Sequence, residues 1–165
     1  MSKRMVFVGI VVVGILATVA SGITGQTGKT LPADSSSPST EKLDWLSHDM
    51  GLQKALSEKK PIMIMFYADW CYYCKKMDHS TFSDRSIIDC LKENFVTIKV
   101  NTDRERGLKS KYGVMGLPTI WFLEYNGTSI GPLSGYVPPD RFIGVLKYIK
   151  DKHYNNMILQ EFLEK

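Results

Sequence analysis

Three short uncharged or nearly uncharged runs, separated by stretches of mixed polarity, set the frame of this chain. Pro61-Ile62-Met63-Ile64-Met65-Phe66-Tyr67 is continuous in apolar residues, which suits a strand buried on both faces of a sheet rather than one that alternates between core and water. Phe95-Val96-Thr97-Ile98-Lys99-Val100 is rich in β-branched residues and reads as a second strand, and Thr119-Ile120-Trp121-Phe122-Leu123 as a third. Asn126-Gly127 is a strong hairpin turn, so Thr128 to Leu133 is expected to return antiparallel to the third strand. Leu43-Asp44-Trp45-Leu46 is expected as a short edge strand.

Between these runs the apolar residues recur at helical spacing. Ser47 to Lys59 carries Met50, Leu52, Ala55 and Leu56 among charges, with Ser47 or Asp49 as cap. From Cys71 onward, Lys75, Lys76, Asp78 and His79 mark a partly exposed helix, and Asp84 is placed to cap a further helix through Leu91. Arg104 to Tyr112 reads as a polar, exposed helix, and Asp140 opens a last one whose apolar face is Phe142, Ile143, Val145, Leu146 and Ile149. Strands and helices therefore mix along the chain, an α/β order.

The first residues belong to a different regime. Lys3 and Arg4 precede an uncharged apolar stretch from Met5 to Ala20, so residues 1–22 are expected to be a signal peptide or an N-terminal membrane anchor. Ala20-Ser21-Gly22 offers small residues for cleavage, while the apolar stretch runs on to Ile23, nearly bilayer length, so both outcomes stand. Either way the leading charge puts the bulk of the chain outside the cytoplasm. Residues 23–42 have the Gly, Ser, Thr and Pro content of a flexible linker. Residues 43–165 are the right size for one domain with a single core. Net charge is +4, and +2 once Lys3 and Arg4 leave with the leader, so bulk charge makes no case for nucleic acid. Membrane contact is expected only through the N-terminal segment.

Chemistry concentrates at Trp70-Cys71-Tyr72-Tyr73-Cys74. A Cys-X-X-Cys pair directly after a buried strand and at the start of a helix lies where backbone N–H groups lack partners and the helix dipole is positive, a setting that stabilises a thiolate. Cys71 would attack a disulfide, and Cys74, about one turn deeper, would resolve the mixed disulfide. A static disulfide or half a zinc knuckle is the rival reading. Cys71, Cys74, His79 and Cys90 total four potential ligands, but His79 and Cys90 are isolated and do not form a second compact cluster, so no metal is expected. Cys90, among Ile87, Ile88 and Leu91, reads as a small buried hydrophobe. His48 and His153 are expected to be solvated on surface helices.

Tyr67-Ala68-Asp69-Trp70-Cys71 with Cys74-Lys75, Thr81-Phe82-Ser83-Asp84, Val100-Asn101-Thr102-Asp103, Gly116-Leu117-Pro118-Thr119 and Gly135-Tyr136 together resemble the thioredoxin superfamily over about residues 43–150. The nearest resemblance is to the C-terminal periplasmic thioredoxin-like domain of the DsbD thiol:disulfide interchange family. No multi-helix membrane domain accompanies it, so the chain is expected to be that module alone on its own leader. The resemblance implies a thioredoxin fold, a central mixed β-sheet flanked by helices. It also implies a cis-proline at Pro118 facing the dithiol, and Leu117 offering its backbone to an extended client. Trp70 would be an apolar rim beside Cys71, with a core position as the alternative. Thioredoxins commonly carry a buried carboxylate six residues before the first cysteine, where this chain has Met65. Asp78 either takes over that proton relay or is a solvated helix residue. The implied function is a thiol:disulfide oxidoreductase acting mainly as a reductase, with an oxidase, an isomerase or a non-catalytic client-binding protein as alternatives. The Cys71–Cys74 disulfide would be its only redox group, without a cofactor. Its partners would be protein thiol or disulfide clients and an upstream electron donor protein, and the chain is expected to act as a monomer.

Overall fold

The computed structural model describes residues 42–165. The expected leader, and the expected linker up to residue 41, lie outside the described residues. Among the described residues, no helix is long and apolar enough to cross a membrane.

The sheet has four strands in the order β2-β1-β3-β4. Strand β1 (Ile62–Tyr67) is central, parallel to β2 (Val96–Asn101) and antiparallel to β3 (Thr119–Leu123). Strand β4 (Ser129–Ser134) returns antiparallel to β3. Gly127 at φ +85° completes the Asn126-Gly127 turn, where the Asn126 carboxamide oxygen accepts the Thr128 N–H at 3.0 Å. The sheet is mixed and flanked by helices, as the resemblance implied.

Both faces of β1 are covered, which explains its unbroken apolar run. Met63 and Met65 join Ile120 and Phe122 on one face, packed with Met77, Ile87, Leu91, Phe142, Val145 and Leu146. These last residues come from helices α2 (Tyr72–Ser80), α3 (Arg85–Asn94) and α5 (Pro139–Lys150). Ile62, Ile64 and Phe66 form the other face with Val96, Ile98, Val100 and Ala55 of α1 (His48–Glu58). Helix α1 sits so close that a Cβ on Gly51 would fall 2.2 Å from Cγ1 of the fully buried Ile98.

Several expectations are corrected. Leu43 to Leu46 is not a strand: Leu46 makes one isolated parallel bridge to Ile98. The polar helix is shorter than expected, α4 (Arg106–Lys111), and Tyr112 just after it is half-buried. Beyond residue 150, a short 3₁₀ turn (His153–Asn155) and α6 (Leu159–Leu163) fold back on α5. There Tyr148 donates to the Met157 carbonyl at 2.7 Å, and Leu163 fills the space left by Gly144. His153 is not a free surface residue, since its ring lies 4.6 Å from that of Phe162.

Asp84 caps α3 as expected. Its carboxylate accepts the Ser86 hydroxyl at 2.6 Å and the backbone N–H groups of Ser86 and Ile87 at 2.9 and 3.3 Å. These bonds, the Ser86 hydroxyl first, hold its pKa below the ordinary carboxylate value. A depressed folded pKa gives stability that is present above the unfolded value of about 3.9 and lost as pH falls through the folded one. Asp84→Ala is therefore expected to cost about 1 kcal/mol at neutral pH. Urea titrations should show that deficit shrinking in acid, whereas Asp84→Asn should keep most of the cap.

Candidate functional site

The chain leaves β1 at Tyr67 and turns through Ala68-Asp69-Trp70, where the Cys71 N–H donates to the Ala68 carbonyl at 3.1 Å. Cys71 is then the N-cap of α2, in extended conformation (φ −73°, ψ 109°), and its Sγ accepts the Cys74 N–H at 3.1 Å. A serine or aspartate oxygen usually takes this place; here a sulfur meets one of the unpaired donors of the helix start. Cys71 and Cys74 are joined by a disulfide, with their Cα atoms 5.3 Å apart. When the pair is reduced, the same N–H and the positive end of the helix favour negative charge on Cys71. Cys74 is the more deeply buried of the two.

Around the disulfide the surface is aromatic. Trp70 is 70% exposed, so it is a rim residue and not a core one, and its indole N–H donates to Asp103 at 2.9 Å. Tyr72 and Tyr73 are also exposed and pack edge to face. Tyr73 approaches the Tyr136 ring, over which the Lys76 ammonium lies at 4.4 Å. Across the sheet end, the Leu117–Pro118 peptide bond is cis. Pro118 is buried immediately before Thr119, the residue that pairs with Phe66 of β1, so Pro118 and the dithiol share one end of the sheet. The Pro118 carbonyl accepts the Gly135 N–H at 2.8 Å, and the Thr119 hydroxyl donates to the Gly116 carbonyl at 2.8 Å. Leu117 is half-buried against the core cluster that holds both cysteines, while Met115 before it is 96% exposed.

Asp78 is not free on the surface. Both of its carboxylate oxygens accept from the Lys99 ammonium, at 2.7 and 2.9 Å. Lys99 is the register partner of Met65, and its ammonium lies over the rings of Tyr67 (4.8 Å) and Trp45 (5.1 Å). The ion pair therefore occupies the dithiol side of the sheet beside the position held by an acid in many thioredoxins. Sequence reasoning missed Lys99, whose only signal is a lone charge in an otherwise uncharged strand. It also missed His48, which is buried rather than solvated and is hydrogen-bonded to Tyr112.

Cys90 departs from expectation too: it is half-buried, not enclosed. Burial raises its thiol pKa first; Lys150 and Lys147 oppose the rise and Glu93 and Asp151 add to it, each by less than burial. Among the described residues, no group of three or more His, Cys, Asp or Glu side chains is placed to hold a metal ion.

A model of the thioredoxin-like domain matches residues 48–150, most of the described chain. The chain belongs to the thioredoxin-like family. This thioredoxin-like chain is 30% identical over 155 residues to a thiol:disulfide interchange protein DsbD of Vibrio vulnificus, a match covering 87% of it and 26% of that protein. Among solved structures it is similar to a thioredoxin from Thermus thermophilus (27% identity, TM-score 0.61, 66% of this chain and 88% of that one). It is likewise similar to the reduced C-terminal domain of DsbD from Neisseria meningitidis (28% identity, TM-score 0.53, 61% of this chain and 92% of that one). The chain spans between 14% and 26% of the length of the curated relatives it matches.

After reduction, iodoacetamide near neutral pH is expected to label Cys71 first. Cys74 should lag because it is the more deeply buried of the pair and lies past the helix start, and Cys90 because few of its thiols are ionised. Peptide mapping by mass spectrometry checks the order, and Cys90 labelling should rise only at distinctly alkaline pH.

Proposed function

We propose that this protein is an extracytoplasmic thiol:disulfide oxidoreductase that works mainly as a reductase of oxidised protein thiols. The observation that carries the reading is the Cys71–Cys74 disulfide at a helix N-terminus, ringed by exposed aromatic residues, in a thioredoxin-like domain. In the reduced protein, the Cys71 thiolate attacks one sulfur of a client disulfide. A Cys71–client bond forms, the client S–S bond breaks, and the first client sulfur leaves as a thiolate that takes a proton from water. Cys74, deprotonated, then attacks Cys71 Sγ and expels the second client thiolate, leaving the intramolecular disulfide and a client carrying two more electrons. A donor protein dithiol restores the pair by the same two exchanges in reverse, so no other redox group is required.

Trp70, Leu117 and Pro118 seat the client: Trp70 as an apolar wall, and the Leu117–Pro118 segment as a backbone edge for an extended chain. Asp78, oriented by Lys99, takes the Cys74 proton during resolution. The apolar leader supports a location in the periplasm or an equivalent compartment, tethered or released.

Cys74→Ser should accumulate a mixed disulfide with its client through Cys71, Cys71→Ser should trap nothing, and Cys90→Ala should keep turnover. Non-reducing electrophoresis reads all three, and retained function in Cys71→Ser would instead mark a binding protein. Equilibration with glutathione or dithiothreitol buffers is expected to place the pair near the reducing end of the scale, about −270 mV, and a value near about −120 mV would make it an oxidase. With Cys74 intact, Asp78→Asn should slow resolution of the Cys71–client mixed disulfide by about a hundredfold without loss of the fold, and unchanged kinetics would remove Asp78 from the mechanism.

A further inference from the structure

His48 and Tyr112 are separated by 64 positions yet meet at 3.0 Å through His48 Nε2 and the Tyr112 hydroxyl. The other ring nitrogen, Nδ1, lies 3.0 Å from a carboxylate oxygen of Asp49. A neutral imidazole with its proton on Nδ1 satisfies both bonds: Nδ1–H donates to Asp49, and Nε2 accepts the Tyr112 O–H. Burial raises the phenol pKa of Tyr112 and so keeps that donor protonated. Neither residue contacts the dithiol, and a buried histidine bonded to a distant tyrosine is a costly arrangement to leave incomplete.

Tyr112 stands at the base of the loop that ends in Pro118. It is the C-cap of α4, directly before Gly113, and its ring packs on Phe66 at 5.3 Å and on Trp121 at 5.8 Å. Trp121 lies three residues beyond Pro118, in β3, so the Tyr112–Trp121 contact staples the neck of the loop formed by residues 113–118. The loop is held at its ends, where the Gly113 and Val114 N–H groups donate to the Ser110 and Lys109 carbonyls at 3.1 and 3.0 Å and the Thr119 hydroxyl to the Gly116 carbonyl, while its tip is open. Gly113 holds φ +60°, Cβ atoms built on Gly113 and Gly116 would meet nothing within 4 Å, Met115 is exposed, and Val114 is the buried anchor.

On the other side, His48 belongs to the first turn of α1, which is held against β2 by the close fit of Gly51 to Ile98. The hydrogen bond thus ties the neck of a loop with an open tip to a helix seated firmly on the sheet.

We propose that His48 and Tyr112 are positioning residues that set the Met115–Pro118 segment for extended protein clients. The proposal rests on the thiol:disulfide reading for its kinetic consequence, but not for its conformational one. A small aromatic disulfide reaches Cys71 without needing the loop, whereas a protein client lies along it. Loss of the clamp therefore lowers exchange with proteins selectively, while a general loss of structure would lower both.

The test uses the full chain and compares Tyr112→Phe, His48→Gln and the double variant His48→Leu/Tyr112→Phe with the unaltered protein. Insulin serves as the protein disulfide and 5,5′-dithiobis(2-nitrobenzoic acid) as the small one. Tyr112→Phe is expected to lower kcat/KM for insulin at least fivefold and for the small disulfide less than twofold. His48→Gln, whose amide oxygen replaces Nε2 as acceptor, should restore most of the insulin rate. The double variant leaves no buried polar group orphaned, so it keeps the test open if a single variant fails to fold, and it should show the same selective loss. Amide hydrogen exchange at residues 113–117 should rise about tenfold in Tyr112→Phe and in the double variant. Unchanged exchange there overturns the proposal whatever the activity, as does an equal fall in both disulfide rates. If the unaltered protein exchanges with neither disulfide, the functional reading fails, and loop exchange alone decides the clamp.

Discussion

Strand β1 is hydrogen-bonded on both sides, to β2 and to β3, and its residues from Ile62 to Phe66 are removed from water on both faces. A strand so enclosed has no freedom of register, because a slip of one residue would exchange the two core faces along its whole length. The end of β1 is therefore fixed in space, and the dithiol is only the short Ala68-Asp69-Trp70 turn away. Each of the five side chains buries on the order of 2 kcal/mol of transfer free energy before ordering costs are subtracted. The core thus holds the two sulfurs in place from beneath the exposed rim.

Where β1 gives way to α2, the physical demand reverses. A helix start needs acceptors for its first N–H groups, and Cys71 meets one of them with sulfur. A serine cap would do this more strongly but carries no redox chemistry. Around that sulfur the molecule exposes Trp70, Tyr72, Tyr73 and Met115, large side chains that would usually be buried. Trp70 is steadied by Asp103, and Asp69 pairs with Arg104 at 3.1 Å, an exposed ion pair worth well under about 1 kcal/mol. The rim is held mainly by the turn itself and its few directed bonds.

Local patterns in the sequence carried the central strand, the hairpin turn, the Asp84 cap and the dithiol at a helix start, because each depends on residues within a few positions of one another. The resemblance supplied the cis peptide bond at Pro118, which no local pattern distinguishes from a trans proline before a strand. Partnerships across the fold stayed hidden. His48 looks like any polar residue in an amphipathic first turn until Tyr112, brought in by the sheet, removes it from water. Lys99 interrupts a β-branched run, and its partner Asp78 sits on a helix whose docking angle the sequence does not encode locally. Cys90 sits between the buried Ile87, Ile88 and Leu91, and the apolar residues around it suggested enclosure, but its position on the helical arc leaves it half-buried. The segment after residue 150 was too short and irregular to show a period, although Tyr154, Met157, Phe162 and Leu163 all pack against the main core.

Strand β4 closes one side of the sheet, and its sequence Ser129-Ile130-Gly131-Pro132-Leu133-Ser134 is poor material for a strand. Pro132 has no N–H to offer a neighbour, Gly131 brings no side chain, and the register against β3 shifts at Phe122–Leu123. At the opposite side, β2 is partly shielded by the Leu46 bridge, whose N–H donates to Thr97 and whose carbonyl accepts from Lys99. Neither margin offers a long, regular row of free backbone groups. A sheet bounded in this way is poorly suited to serve as a template for the aggregation of other chains, or for fibrils of its own kind.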